Sequence, residues 1–186
     1  EICNTNHPFC FIQKQDSDQT LFVTGSASNY RLLDEIPRAQ RPVNGQEVFD
    51  TISMVPFCQI RERDYSVYDN HEEILTIQIQ DQSMVLTDEL IVSLPEVGIK
   101  FTQPITFDTT EEEYAKTIEN IVQKEIGNGE GANFVVPRNM NGQITDFNTK
   151  TALSIFRTLM ENDYGTYWKF IFFNGVKYFI GSTPER

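Results

Sequence analysis

Cations, histidines and cysteines are all scarce in this chain, and each shortage argues against a class of function. Fifteen Lys and Arg stand against 27 Asp and Glu, a formal charge of −12. Nucleic-acid binding needs clustered cations against phosphate, so this balance argues against it. An anionic small substrate stays compatible, because a local pocket can be basic while the whole molecule is acidic. The three cysteines, Cys3, Cys10 and Cys58, cannot all pair, and no CxxC spacing occurs. Only His7 and His71 could complete a metal set with them. The reading is reduced, packed thiols in a cytoplasmic protein. No apolar run reaches the ~18 residues of a membrane span, and Glu1 begins no signal peptide. Without an initiator Met, the first residue is expected not to be a gene's first codon.

The residues that are present describe a folded α+β protein. Hydrophobic content of 39% with 23% charged residues fits a packed core, and 186 residues suffice for one domain. Fourteen Phe and seven Tyr favour sheets. Two short apolar runs, Phe9–Ile12 and Leu21–Thr24, predict a strand–loop–strand opening, with Gly25–Asn29 as a loop. Arg38–Gly45 reads as a surface linker. Glu47–Phe57 favours a strand over a helix, because of its β-branched content and Pro56. The charged run Gln59–Asp64 belongs at a sheet end. In Ile74–Gln80, Leu75, Ile77 and Ile79 alternate with polar residues, the period of a half-buried strand. Val85–Leu94 and Val97–Phe101 are further strand candidates, broken at Pro95.

Two helices stand out. Thr110-Glu111-Glu112-Glu113 is a capping box whose glutamates also suit the positive end of the helix dipole. Tyr114, Ile118, Ile121, Val122 and Ile126 mark one face at helical spacing, and Gly127 is a left-handed stop. The second helix covers about Asn148–Asn162, with Ala152, Ile155, Phe156, Leu159 and Met160 as its core face. Phe134–Val136 reads as a short strand and Asn141-Gly142 as a turn. Tyr167–Phe173 and Val176–Ile180 flank Asn174-Gly175, a dipeptide suited to a type I′ hairpin.

Local motifs carry little chemistry. The glycines of Gly127–Gly131 follow a helix rather than join a strand to one, so they form neither a P-loop nor a dinucleotide fingerprint. His71-Glu72-Glu73 lacks the second histidine of a zinc helix. The glutamates at 111–113 read as a cap, and no local signature supports a Cys–His nucleophile pair. Spacing alone reveals no function.

Longer motifs do. Ala152-Leu153-Ser154-Ile155-Phe156-Arg157, Tyr167-Trp168-Lys169-Phe170 and Tyr178-Phe179-Ile180-Gly181-Ser182-Thr183-Pro184-Glu185-Arg186 together resemble the middle of a chorismate-utilising enzyme. That family includes anthranilate, aminodeoxychorismate, isochorismate and salicylate synthases. Gly129-Glu130-Gly131-Ala132-Asn133-Phe134-Val135 and Val55-Pro56-Phe57-Cys58-Gln59-Ile60-Arg61-Glu62-Arg63 are more similar to the phenazine-pathway and enediyne-pathway 2-amino-2-desoxyisochorismate synthases. The similarity runs from about Phe49 to the end. Thr24-Gly25-Ser26 stands near the place of a Leu-Glu-Ser motif that tryptophan-regulated members carry, a departure that speaks against such feedback.

The resemblance implies roles for particular residues. Members that add water at C2 of chorismate have a lysine base where this chain has Asn133, and amine-adding members have an amide there. An amide cannot deprotonate water but can hold ammonia by hydrogen bonds. A turn-end asparagine capping backbone groups is the alternative for Asn133. Glu185, in the Gly-x-Ser/Thr-Pro-Glu motif, resembles the general acid that protonates the departing C4 hydroxyl, a role that needs a raised pKa. Its alternative is a solvated carboxylate. Gly181, Ser182 and Thr183 are implied to contact substrate, and the intervening helix and hairpin would bring both motifs to one cleft. No metal ligand is expected within the chain. Mg²⁺ is implied, held by glutamates of a C-terminal half, as are most groups that bind the substrate carboxylates.

The expectation is therefore a single partial domain, residues 1–186, forming the N-terminal half of a cytoplasmic chorismate-aminating synthase of secondary metabolism. Its implied partners are chorismate and a glutamine amidotransferase domain or subunit supplying ammonia, with neither nucleic acid nor membrane, and with room for a homodimer. The expected architecture is antiparallel sheet layers with helices outside, part of a four-layer α/β/β/α fold. An isochorismate or salicylate synthase fragment and a non-catalytic ligand- or partner-binding module are the alternatives.

Overall fold

Phe9–Lys14 (β1) and Gln19–Tyr30 (β2) form the antiparallel pair that the two N-terminal apolar runs predict. The computed structural model describes residues 7–38 and 48–183. Gly98–Phe147 forms one compact unit, and the chain on either side of it forms another.

The larger unit is built on a six-stranded sheet in the order β3-β4-β2-β1-β7-β8. Its other strands are Thr51–Met54 (β3), Ile74–Leu86 (β4), Trp168–Phe173 (β7) and Tyr178–Thr183 (β8). Every neighbouring pair is antiparallel. The α+β class read from the sequence is the class observed.

β2 does not stop at Thr24. It runs through the small polar residues 25–29, read from the sequence as a loop, and pairs with β4 as far as Tyr30. The register shifts between Thr24 and Gly25, a β-bulge. A Cβ on Gly25 would lie 1.9 Å from the Gln78 carbonyl oxygen. Only glycine allows this approach, so the residue that suggested a loop is what lets the strand continue.

Thr87–Ser93 is a helix (α1) rather than the expected strand. Thr87 donates its N–H to the Asp18 carbonyl at 2.8 Å, and Asp88 and Glu89 occupy the first turn. Leu90 and Leu94 then turn into the core beside Phe9 and Phe11. Packing has outweighed the β-branched composition of the run. Helix α3, Thr149–Asn162, begins as predicted, with the Asn148 carboxamide accepting from Lys150 N–H at 2.9 Å. It buries Ala152, Leu153, Phe156 and Met160 against β1 and β7. Arg157 ties the two helices together by donating to the Leu94 carbonyl at 3.1 Å.

The sheet's other face carries a second cluster: Cys10, Val23, Ile77, Ile79 and Phe172, flanked by partly buried Ile12, Leu21, Ile52, Met54, Leu75 and Phe179. Among the described residues, no helix residue takes part in it. The run Gln59–Asp64, expected at a sheet end, falls almost wholly within a 3₁₀ helix over Phe57–Arg63. The β7–β8 hairpin is present, but its loop spans residues 174–177, because Phe173 pairs with Tyr178. Gly175 has φ 93°, whereas Asn174 is not in the left-handed region, so the turn is not type I′. Instead the Asn174 side chain accepts from Val176 and Lys177 N–H at 3.0 and 2.8 Å.

The smaller unit pairs Thr106–Phe107 (β5) with Met140–Asn141 (β6) beside Glu111–Asn120 (α2). The predicted helix continues as a π-helical turn over Ile121–Ile126. Gly127 keeps a right-handed φ of −62°, and the left-handed residue is Gly129, at φ 80°. The expected apolar face of this helix is not a core, since no residue of the unit is fully buried. Val97–Phe101 is not a strand: it forms one isolated bridge, from Phe101 to Ile144. Phe134–Val136 has no regular structure. The linker expected at Arg38–Gly45 lies almost wholly outside the described residues.

The Gly25 contact sets a test. Gly25→Ala is expected to lower stability by roughly 2 kcal/mol or more. Gly98→Ala, where an added Cβ meets nothing within 4 Å, is expected to change it by less than about 0.5 kcal/mol. Thermal unfolding of both variants checks this, and equal melting temperatures would contradict it.

Candidate functional site

β8 is an edge strand, and its last three residues are Gly181, Ser182 and Thr183. They pair with Phe170, Lys169 and Trp168. Side chains alternate along a strand, so Gly181 and Thr183 share the face of Phe179 and Phe172, which belongs to the second cluster. Ser182 lies on the opposite face with Lys169, whose ammonium donates to the Met160 carbonyl at 3.2 Å. A Cβ on Gly181 would meet the Phe170 ring at 3.2 Å, tight enough to displace it. The Thr183 carbonyl accepts from Tyr167 N–H at 2.6 Å, and the Tyr167 carbonyl accepts from Gln15 N–H at 2.8 Å. The backbone is thus fixed as far as Thr183. Glu185, the expected general acid, lies outside the described residues.

Beside this strand the second-cluster face opens into a recess of about 400 Å³. Ile12, Leu21, Ile52, Ile79 and Met84 wall it, and Lys14 and Trp168, register partners, line it as well. The Trp168 indole N–H is buried with no partner among the described residues. Its sequence signal is legible afterwards: the only tryptophan of the chain alternates with Phe170 and Phe172 on one face.

Asn133 lies in the smaller unit, on the irregular segment between α2 and β6. Local chemistry fixes that segment at both ends. Upstream, the π-helical turn closes with Glu130 N–H donating to the Glu125 carbonyl at 2.9 Å. The Phe134 ring folds back over Gly131, where an added Cβ would come within 2.8 Å of it. Downstream, the Tyr114 hydroxyl donates to the Val136 carbonyl at 3.2 Å. Arg138 stacks its guanidinium over Phe107 at 4.1 Å and near Tyr114 at 5.3 Å, and donates to the Thr109 carbonyl at 3.3 Å. Asn139 donates to both Asp108 carboxylate oxygens, through its N–H at 3.1 Å and its amide at 2.7 Å.

Between these anchors Asn133 is exposed, and its side chain caps no backbone group among the described residues. Asn133 and the Gly181, Ser182 and Thr183 group fall in different units. Sequence reasoning placed Tyr114 only on the apolar face of α2 and assigned Arg138 no role. Their signal was an arginine five residues beyond Asn133 and an aromatic in the first turn of α2.

The start of α2 explains why its anchor residues hold still. Thr110 accepts from Glu113 N–H at 3.2 Å, while the Glu113 carboxylate accepts from Thr110 N–H at 3.1 Å. The bond from the Thr110 backbone, followed by that from its hydroxyl, holds the Glu113 carboxyl below the usual carboxylate range. Burial pushes the Cys10 thiol far up, so it stays protonated and is no nucleophile. Among the described residues no three His, Cys, Asp or Glu side chains gather as metal ligands. They therefore offer no site of their own for the Mg²⁺ implied by the motifs.

No family model matches the chain. Over 182 residues, 96% of the chain, it is 32% identical to "Anthranilate synthase, phenazine specific" of Pseudomonas fluorescens. Over 162 residues, 87% of the chain, it is 35% identical to the protein of the same name in Pseudomonas chlororaphis. These relatives carry the family name that the motif pattern implied. The chain spans 28% and 25% of their respective lengths.

The capping box supplies a pH test. A depressed folded pKa means that the stabilisation from Glu113 is present above its unfolded value, ~4.3. It is lost as pH falls through the lower folded value. Thr110→Val is expected to return the Glu113 pKa toward the ordinary range and to weaken the acid sensitivity of α2. Carboxyl NMR titration of both proteins reads this, and an unmoved Glu113 would contradict it.

Proposed function

We propose that this chain is the N-terminal part of a cytoplasmic chorismate-aminating synthase. Ammonia adds at C2 of chorismate, the ring double bonds shift, and the C4–O bond breaks. Glu185 gives its proton to the departing hydroxyl, which leaves as water, and the new amine sheds a proton. The product is 2-amino-2-desoxyisochorismate, or anthranilate if pyruvate then leaves. The ammonia comes from a glutamine amidotransferase domain or subunit.

The observation that carries this reading is the likeness, along nearly the whole chain, to two proteins named as phenazine-specific anthranilate synthases. Asn133 gives the reading its nucleophile. A neutral amide offers ammonia an acceptor and a donor without the basicity that activates water. Its exposed side chain, engaged by none of the described residues, is available for that role.

Gly181, Ser182 and Thr183 would present backbone and small side chains to the substrate, with Gly181 allowing the Phe170 ring to pack against the strand. The remaining carboxylate-binding groups and the magnesium ligands are assigned to a C-terminal half. That half would also cover the half-buried Ile12, Leu21 and Ile52 on the sheet face opposite α1 and α3.

Assay of the full-length gene product with chorismate, Mg²⁺ and ammonium is expected to yield an aminated product. Isochorismate as the product would overturn the reading of Asn133. Glu185→Gln is expected to lower kcat by ~10²–10⁴-fold with folding intact, the usual worth of a general acid. Chelation should abolish turnover and added Mg²⁺ restore it, whereas activity that survives chelation would contradict the metal requirement.

A further inference from the structure

Arg138 is bound more closely than a surface arginine needs to be. Its guanidinium lies 4.1 Å from the Phe107 ring centroid and 5.3 Å from that of Tyr114, and its Nη2 donates to the Thr109 carbonyl. Its Nε–H is buried and has no partner among the described residues. A guanidinium held so is fixed in plane and in position, which an ammonium on a flexible stem would not be. The aromatic partners sit on β5 and in the first turn of α2, where the capping box and the Asp108–Asn139 pair already hold the backbone.

The anchor is five residues from Asn133, on a segment that has no regular hydrogen-bonded structure. Tyr114 acts on the same segment from the same place, through its bond to the Val136 carbonyl. The unit containing Asn133 has no fully buried residue, so core packing does not set the path of this segment. The stack and these few hydrogen bonds must do it.

We propose that Arg138 is a positioning residue for Asn133. By stacking on Phe107 and Tyr114 it fixes where the segment carrying the amide is held, and so where ammonia waits for C2. The inference rests on the amination reading above and adds to it a residue that touches neither substrate nor ammonia. A misplacement of about 1 Å far from the chemistry can cost ~100-fold in rate. The loss of a fixed plane on this segment is therefore enough to matter.

The test uses the full-length enzyme and a cycle of Asn133→Ala, Arg138→Lys and the double variant, with kcat and KM measured separately for ammonium and chorismate. Each single variant is expected to lose roughly 10- to 100-fold in kcat/KM for ammonium, with the KM for chorismate unchanged. The double variant should be no worse than the poorer single one, because both changes disable the same unit. Should Arg138→Lys fail to fold, Phe107→Leu removes one face of the stack and is expected to give the same ammonium-specific loss.

If Asn133→Ala impairs amination but Arg138→Lys does not, positioning is overturned and the role of Asn133 stands. Multiplying effects, or equal losses for ammonium and chorismate, also overturn it, because they are what a merely structural role produces. A silent Asn133→Ala overturns both the amination reading of that residue and the inference resting on it.

Discussion

The central sheet is apolar on both faces, while helices α1 and α3 pack on one of them. On the helix side Phe9, Phe11, Phe156 and Ile171 are at most 1% exposed. On the other side Val23, Ile77 and Phe172 are equally buried, but Ile12, Leu21, Ile52 and Leu75 around them stay partly open. Ile12, Leu21 and Ile52 border the recess of about 400 Å³ on that face. Gly181 and Thr183 share that open face, as does the recess beside Trp168. Gly181 and Thr183 therefore lie on the face opposite α1 and α3, whereas Ser182 lies on the face that those helices cover.

The two units are stabilised by different physics. The larger one rests on a packed aromatic and aliphatic core. The smaller one has no fully buried residue and is held by the Thr110–Glu113 box, the Asp108–Asn139 pair, the Tyr114–Val136 bond and the Arg138 stack. Polar and cation–π fastenings of this sort fix local geometry more than they add global stability. They set the path of the segment that carries Asn133.

Much of the larger unit was legible in the sequence, because its signals were periodic or capped. The β1–β2 pair, helix α3 starting at about Asn148, and the β7–β8 hairpin all follow from local pattern. The failures have identifiable causes. Gly25-Ser26-Ala27-Ser28-Asn29 is composed like a loop, yet pairs with β4 because a long-range contact needs a glycine there. Val85–Leu94 contains β-branched residues and ends at Pro95, yet α1 forms because Leu90 and Leu94 have a core to enter. In α2 the periodicity was real, but it does not create a core among the described residues.

The candidate site was not legible from spacing at all. Asn133 is one exposed asparagine on an irregular segment, and Glu185 one glutamate near the last residue. Only the order of several separated motifs singled them out. The fastenings around Asn133 come from Phe107 to Tyr114, 19–26 positions earlier, and from Arg138 and Asn139 a few positions later, which no short window of sequence could have linked.

The central claim is that nitrogen rather than oxygen attacks C2. Supplying the full-length enzyme with chorismate, heavy-nitrogen ammonium and heavy-oxygen water separates the two by mass spectrometry of the product. The account predicts heavy nitrogen bonded at C2 and no heavy oxygen there. Heavy oxygen at C2 without nitrogen would contradict it.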